Sequence, residues 1–201
     1  MPLCSVKQKN TIMSHRILRR AALLAPLLLG ACVETHAYLG AGYESNLALP
    51  PQPLSQPLPV RVETEFRTNE EPSPGATKVL AREVKRVLED SGVYRPAADA
   101  DLVLRLRVDD RADLHQARHN GFMTGFTVGR SGEATEDRYD FTLALEGPRG
   151  VVRSARYQAV LTTTGLSQVP ASYGQPHAAE DAFNIIVRDT VNRFLAVAAA
   201  P

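Results

Sequence analysis

Four segments of this chain alternate apolar and polar residues with a period of two, and that alternation limits the folds open to it. Val60, Val62, Thr64 and Phe66 share one side of residues 60–66, with Arg61, Glu63 and Glu65 on the other. Leu102, Leu104, Leu106 and Val108 alternate with Val103, Arg105 and Arg107. Tyr139, Phe141, Leu143 and Leu145 share a side of residues 138–146, and Ala155, Tyr157, Ala159 and Leu161 a side of residues 151–163. Strands with one apolar side build a sheet with one dry face and one wet face, unlike the continuous apolar runs of doubly covered parallel sheets.

Two amphipathic helices are available to cover the dry face. Ser73-Pro74 has the residues of a helix start, Ala76, Val79, Leu80, Val84, Val87 and Leu88 form one stripe, and Gly92 sits where a helix C-terminus favours glycine. A second helix, from about Ala178 to Ala198, places Phe183, Ile186, Val187, Thr190, Val191, Phe194 and Leu195 on one side. Glu180 and Asp181 in its first turn suit the helix dipole. The expected order is β-α-β-β-β-α, an α+β fold in which one antiparallel or mixed four-stranded sheet is covered on one face by two helices. The first helix makes a crossover between strands one and two, and strands two to four form a meander around the turn Gly147-Pro148-Arg149-Gly150.

Before this domain the chain has a different character. Arg16, Arg19 and Arg20 precede an apolar run from Ala21 to Ala31, which closes on Cys32. A basic region, a short apolar region and small residues at the end are the layout of a secretory signal, and 11 residues are too few to span a bilayer. Leu29-Gly30-Ala31-Cys32 resembles the lipobox of bacterial lipoproteins. The resemblance implies cleavage before Cys32, acylation of that cysteine, and attachment to a membrane through its lipid. Met13 is a better start for such a signal than Met1, so residues 1–12 are expected to be a misassigned or dispensable extension. The boundaries are then 1–31 for the signal, 32–59 for the lipidated N-terminus and proline-rich tether, and 60–201 for the periplasmic domain.

Removing the leader changes the charge balance. It carries five basic residues and no acidic ones, so the remaining 170 residues hold 18 Lys and Arg against 22 Asp and Glu, a formal charge of −4. A mildly acidic domain without a basic stripe is not a nucleic-acid binder. Cys32 becomes the only cysteine, which excludes an intrachain disulfide or a cysteine-based metal site. Between Cys32 and the domain, Pro50, Pro51, Pro53, Pro57 and Pro59 block regular structure and suggest a semi-extended spacer. Tyr38, Leu39, Tyr43 and Leu47 are the residues through which part of that spacer would dock.

The topology brings two loops to one end of the sheet. The connection between strands two and three, Asp109 to Asp137, is long, and the segment after strand four, Thr164 to His177, emerges beside it. Phe122, Met123 and Phe126 in the first, and Leu166, Val169 and Tyr173 in the second, are apolar residues that loops normally shed. Exposed together they would form a contact surface for a partner; folded over the open sheet edge they would be buried.

Candidate chemistry is sparse. His115 and His119 are four residues apart with Asp113 nearby, a spacing zinc can use on a helix, but a solvated polar loop accounts for them as well. Asp109 and Asp110 precede them, and Glu133, Glu136, Asp137 and Asp140 flank the start of the third strand as charges that read as solvating. The chain has no Gly-x-Ser-x-Gly elbow and no phosphate loop, and no cofactor is expected.

The βαβββα order behind a lipobox resembles the small periplasmic domains of outer-membrane assembly lipoproteins, including the lipopolysaccharide-assembly lipoprotein and the anticodon-binding-like domains of curli-secretion and Tol-associated proteins. Its most similar local stretch is the amphipathic helix ending at Gly92 followed by Ala98 to Val108. A closer likeness is to uncharacterised bacterial lipoproteins that pair an apolar Gly-rich loop, here Gly121 to Gly132, with a later Thr-Thr segment, here Thr162 to Gly165. The resemblance implies a non-enzymatic scaffold or assembly accessory of the cell envelope, anchored at the periplasmic face of the outer membrane, with an envelope protein as partner and self-association compatible. The competing expectation is a periplasmic small-ligand or metal binder, or a hydrolase, using the Asp109–His119 loop.

Overall fold

A computed structural model describes residues 35–111, 134–166 and 168–198. The elements in chain order are β1 (His36–Tyr38), α1 (Ala41–Glu44), β2 (Leu58–Thr68), β3 (Glu71–Pro72), α2 (Pro74–Ser91), β4 (Tyr94–Pro96), β5 (Val103–Arg111), β6 (Thr135–Gly147), β7 (Gly150–Thr164) and α3 (Ala179–Ala198), with a 3₁₀ turn at Ala171–Tyr173. The sheet runs β1-β7-β6-β5-β2-β3, with β4 paired to the first residues of β2.

The four strands read from the alternation are β2, β5, β6 and β7, in the expected order with α2 and α3 between and after them. β2 and β5 are parallel neighbours from Arg61↔Val103 to Thr68↔Asp110, joined through α2. β5, β6 and β7 form the antiparallel meander. The expected sheet of four strands is corrected to seven. The added strands β1, β3 and β4 have only three, two and three residues, too few for a period of two to register in the sequence. They protect the sheet's edges. β1 pairs with the end of β7, and its outer side bridges to His177 through Ala37. β3 arises because Asn69 and Glu70, both with positive φ, turn β2 back on itself.

The dry face holds the core. Leu104, Leu106 and Val108 of β5, Tyr139, Phe141 and Leu143 of β6, and Leu161 of β7 are all buried. Above them lie Leu80, Val84 and Leu88 of α2 and Phe183, Ile186, Val187, Val191 and Phe194 of α3. Phe183 meets Phe66 and Tyr139 edge-on or tilted, with ring centroids 5.8 and 5.4 Å apart. Ser73 takes the cap position of α2, but its side chain makes no cap bond. Thr77 acts instead, donating its hydroxyl proton to the Ser73 carbonyl and accepting the Phe66 N–H at 3.0 Å, which ties the helix start to the edge of β2. Gly92 ends the helix with φ near 65°, and a Cβ there would meet the Pro53 ring at 2.6 Å.

That last contact shows where the proline-rich segment lies. Residues 41–59, within the expected spacer, cross the helical layer as a strap. Asp189 of α3 is 4% exposed and holds it: its carboxylate accepts the Tyr43 hydroxyl at 2.8 Å and the Ala48 N–H at 2.7 Å, and pairs with Arg193. The Arg193 guanidinium also donates to the Asn46 carbonyl. Further on, the N–H groups of Leu54 and Leu58 donate to the carbonyls of Gly92 and Val93, each at 3.0 Å. The Tyr43 hydroxyl is held strongly in its neutral form by burial and by the Asp189 carboxylate it bonds. Asp189→Ala therefore leaves two half-buried donors and the Arg193 charge without their acceptor. It is expected to cost about 2–4 kcal/mol in denaturant unfolding and to speed proteolysis within residues 41–59. Unchanged proteolysis at wild-type stability would mean the strap is held by its other bonds, those of Leu54 and Leu58 among them.

Candidate functional site

Five strand ends meet at one end of the sheet. β2 ends at Thr68, β5 at Arg111 and β7 at Thr164, while β6 starts at Thr135 and β1 at His36. The register aligns them in rows: Thr68↔Asp110↔Tyr139↔Ala159, then Asp137↔Leu161, then Thr135↔Thr163 and His36↔Thr164. Both loops identified from the sequence leave from this end, as the topology required.

The dry face changes character here. The parity that buries Leu104, Leu106 and Val108 also buries Asp110, and the parity that buries Tyr139 and Phe141 also buries Asp137 and Thr135. Asp110 and Asp137 are 1% and 2% exposed. Among the described residues neither oxygen of Asp110 has a hydrogen-bond partner, nor do the hydroxyls of Tyr139 and Thr68 or the Asn69 side-chain nitrogen. Burial raises the Asp110 pKa to about 8, and the nearby Asp137 carboxylate adds to the shift. The Thr68 hydroxyl beside it opposes the shift without reaching good bonding geometry. Burial, with both carboxylates nearby, also pushes the Tyr139 phenol well up. The result is a neutral carboxyl, a second acid and a neutral phenol on the dry side of the sheet.

The wet face carries the opposite arrangement, a grid of paired charges. Arg105 bridges Glu63 at 2.8 Å and Glu146 at 2.9 Å, Arg107 grips Asp109 through two nitrogens, and Arg111 pairs with Asp140. A depression of about 500 Å³ opens where this grid meets the Asn69–Glu70 turn. On its wall Arg107 pairs with Asp109 and Arg111 with Asp140, so both of its arginines are already matched to carboxylates.

The structure separates the acidic residues that the sequence grouped. Asp109 and Asp140 lie on the wet face and Asp110 and Asp137 on the dry one, and Glu136 pairs with Arg138. Asp109 and Asp140 line the same depression, but each is held by an arginine. His115, His119 and Asp113 lie outside the described residues, as do Glu133, Phe122, Met123 and Phe126. Among the described residues no group of three or more His, Cys, Asp and Glu could hold a metal, and no helix is long and apolar enough to cross a membrane. Of the second loop, Leu166 is 45% exposed, Val169 is half-buried, and Tyr173 stacks edge-on against Tyr38 at 5.6 Å while its carbonyl accepts the Gly40 N–H.

The sequence reading missed the inward Asp110 and Asp137. The signal was present: each continues an apolar alternation by one further step of two. Charge outweighed parity because isolated acids at a strand end are usually solvated.

No protein-family model and no curated protein matches the chain. Among solved structures it is similar to a minor lipoprotein from Acinetobacter baumannii, with 18% identity over 69% of this chain and 89% of that one and a TM-score of 0.37. It is also similar to a DUF330-family protein from Xanthomonas campestris, with 15% identity over 76% and 94% of the two chains and a TM-score of 0.39. A third is the PelC dodecamer from Paraburkholderia phytofirmans, with 15% identity over 84% and 98% and a TM-score of 0.37.

Asp110 gives the fold a pH dependence of definite sign. Between the ordinary carboxyl value of about 4 and its folded value of about 8, the unfolded chain is ionised while the folded chain keeps its proton. The folded state binds the extra proton, so stability falls as pH rises through that window. Asp110→Asn keeps the site neutral at every pH. Its denaturant midpoint is expected to fall less than the wild type's between about pH 4 and pH 8, and parallel curves would show Asp110 to be ionised when folded.

Proposed function

We propose that this chain is a bacterial envelope lipoprotein, anchored by lipid on Cys32, whose α/β domain acts without catalysis as a scaffold or assembly accessory for other envelope proteins. The observation that carries this reading is the apolar run Ala21 to Ala31 closing on Cys32, four residues before the first strand begins at His36. A signal peptide of residues 1–31 would be removed and the new N-terminal cysteine acylated. Stable anchoring takes more than one acyl chain, which a lipobox cysteine obtains through its diacylglyceryl group. The anchor also uses the only thiol of the mature chain.

The likeness to outer-membrane assembly lipoproteins belongs to the same reading, as does a position at the periplasmic face of the outer membrane. Val33 rather than Asp after the cysteine agrees with outer-membrane sorting. The residues proposed for contact, with a partner or with the bilayer, are Phe122, Met123 and Phe126 with Leu166, Val169 and Tyr173, in the segments that follow Arg111 and Thr164 in the chain. Self-association remains compatible with this arrangement, and no cofactor takes part.

Two measurements test the proposal. Cys32→Ser is expected to abolish the acyl mass on the mature N-terminal peptide and to move the protein from the membrane to the soluble fraction, with its circular dichroism unchanged. A serine variant that stays membrane-bound would remove the anchor from the account. Phe122→Asp or Phe126→Asp is expected to leave the thermal midpoint within about 2 °C while weakening association at the loop pole. A loss of several degrees would instead assign these rings to the core.

A further inference from the structure

The length of chain between the lipidated cysteine and the first strand restricts how the domain can sit. This inference rests on acylation at Cys32. A spacer over residues 32–59 could reach about 80 Å at ~3 Å per residue. Instead His36–Tyr38 is part of the sheet, and Tyr43, Ala48, Leu54 and Leu58 are bonded to the helical layer. Only three peptide links separate Cys32 from Thr35, so their Cα atoms lie within about 11 Å of one another. The anchor thus holds the start of β1, and nothing longer, at the membrane.

That start belongs to the loop pole. His36 pairs with Thr164 at the end of β7, and Thr163 pairs with Thr135 at the start of β6. β1 runs away from this pole and the strap crosses to the opposite one, where β2 begins. We propose that the loop pole of the sheet, with Thr68–Glu70, the strand ends Arg111 and Thr135, and Leu166, faces the lipid bilayer at headgroup level. The Gly147–Gly150 turn at the other end of β6, a strand of 13 residues, then stands about 40 Å from the membrane. The bilayer thereby occupies the surface that the sequence offered as a contact site.

The test uses the acylated full chain in vesicles of phosphatidylethanolamine and phosphatidylglycerol, with a fluorophore on single cysteines at Glu70→Cys, Leu166→Cys or Arg149→Cys. All three positions are exposed. Quenchers on the lipid headgroups are expected to reduce emission several-fold more at Glu70→Cys and Leu166→Cys than at Arg149→Cys. Inserting a flexible segment of about 20 residues between Glu34 and Thr35 is expected to erase most of that difference. Equal quenching at the two poles on an acylated chain overturns the orientation alone. A mature chain that carries no acyl mass overturns the anchor and the orientation together, and mass spectrometry of the same sample distinguishes the two failures.

Discussion

The burial of one face of β5 and β6 beneath α2 and α3 is the contact on which everything else in this molecule depends. Tyr139, Phe141, Leu143, Leu104 and Leu106 lie under Leu80, Leu88, Phe183 and Phe194 with almost no exposure. A strand projects successive side chains to opposite sides, so fixing these residues inward fixes every neighbour outward. The ion-paired grid of Arg105, Arg107, Glu63 and Glu146 follows from the same parity. So does the strain in the design, because Asp110 and Asp137 cannot turn to water without carrying the core residues beside them out of register.

Two acids on a dry face are costly unless they are neutral or bonded. Asp110 takes the first route by keeping its proton to about pH 8. Both acids lie at the end of the sheet, at the pole where both loops leave. Asp189, just as buried, accepts from Tyr43, Ala48 and Arg193 and converts a proline-rich segment into a strap. One buried carboxylate therefore organises the N-terminal chain, while the other sets a pH-sensitive pole.

How much of this was legible varied with the length of the pattern. β2, β5, β6, β7, α2 and α3 were visible because each repeats its period over several turns or pairs. Leu104, Leu106 and Val108, and Phe183, Val187 and Phe194, took the buried positions their spacing required. β1, β3 and β4 were invisible because two or three residues carry no period, and they form only where a neighbouring edge offers unpaired backbone groups. The strap was half legible. Tyr38 and Tyr43 marked a segment that would dock, but their partners, Tyr173 and Asp189, lie more than 100 residues away. At the loop pole the sequence named the emerging residues and misjudged the acids, because a carboxylate in isolation gives no sign of which face its strand will turn inward.

By itself the sequence determined the one-sided sheet and its two covering helices, since these follow from periodicity and from local residue order. Tertiary structure alone decided that the proline-rich stretch is bound and not free. That outcome depends on a helix near the far end of the chain presenting Asp189, Asn192 and Arg193 to backbone groups that would otherwise be solvated. The same docking reduces the reach from Cys32 to the domain from most of the spacer to a few residues. A hydrogen bond between distant segments has no local signature, and here such bonds fix where the first strand starts relative to the cysteine proposed as its anchor.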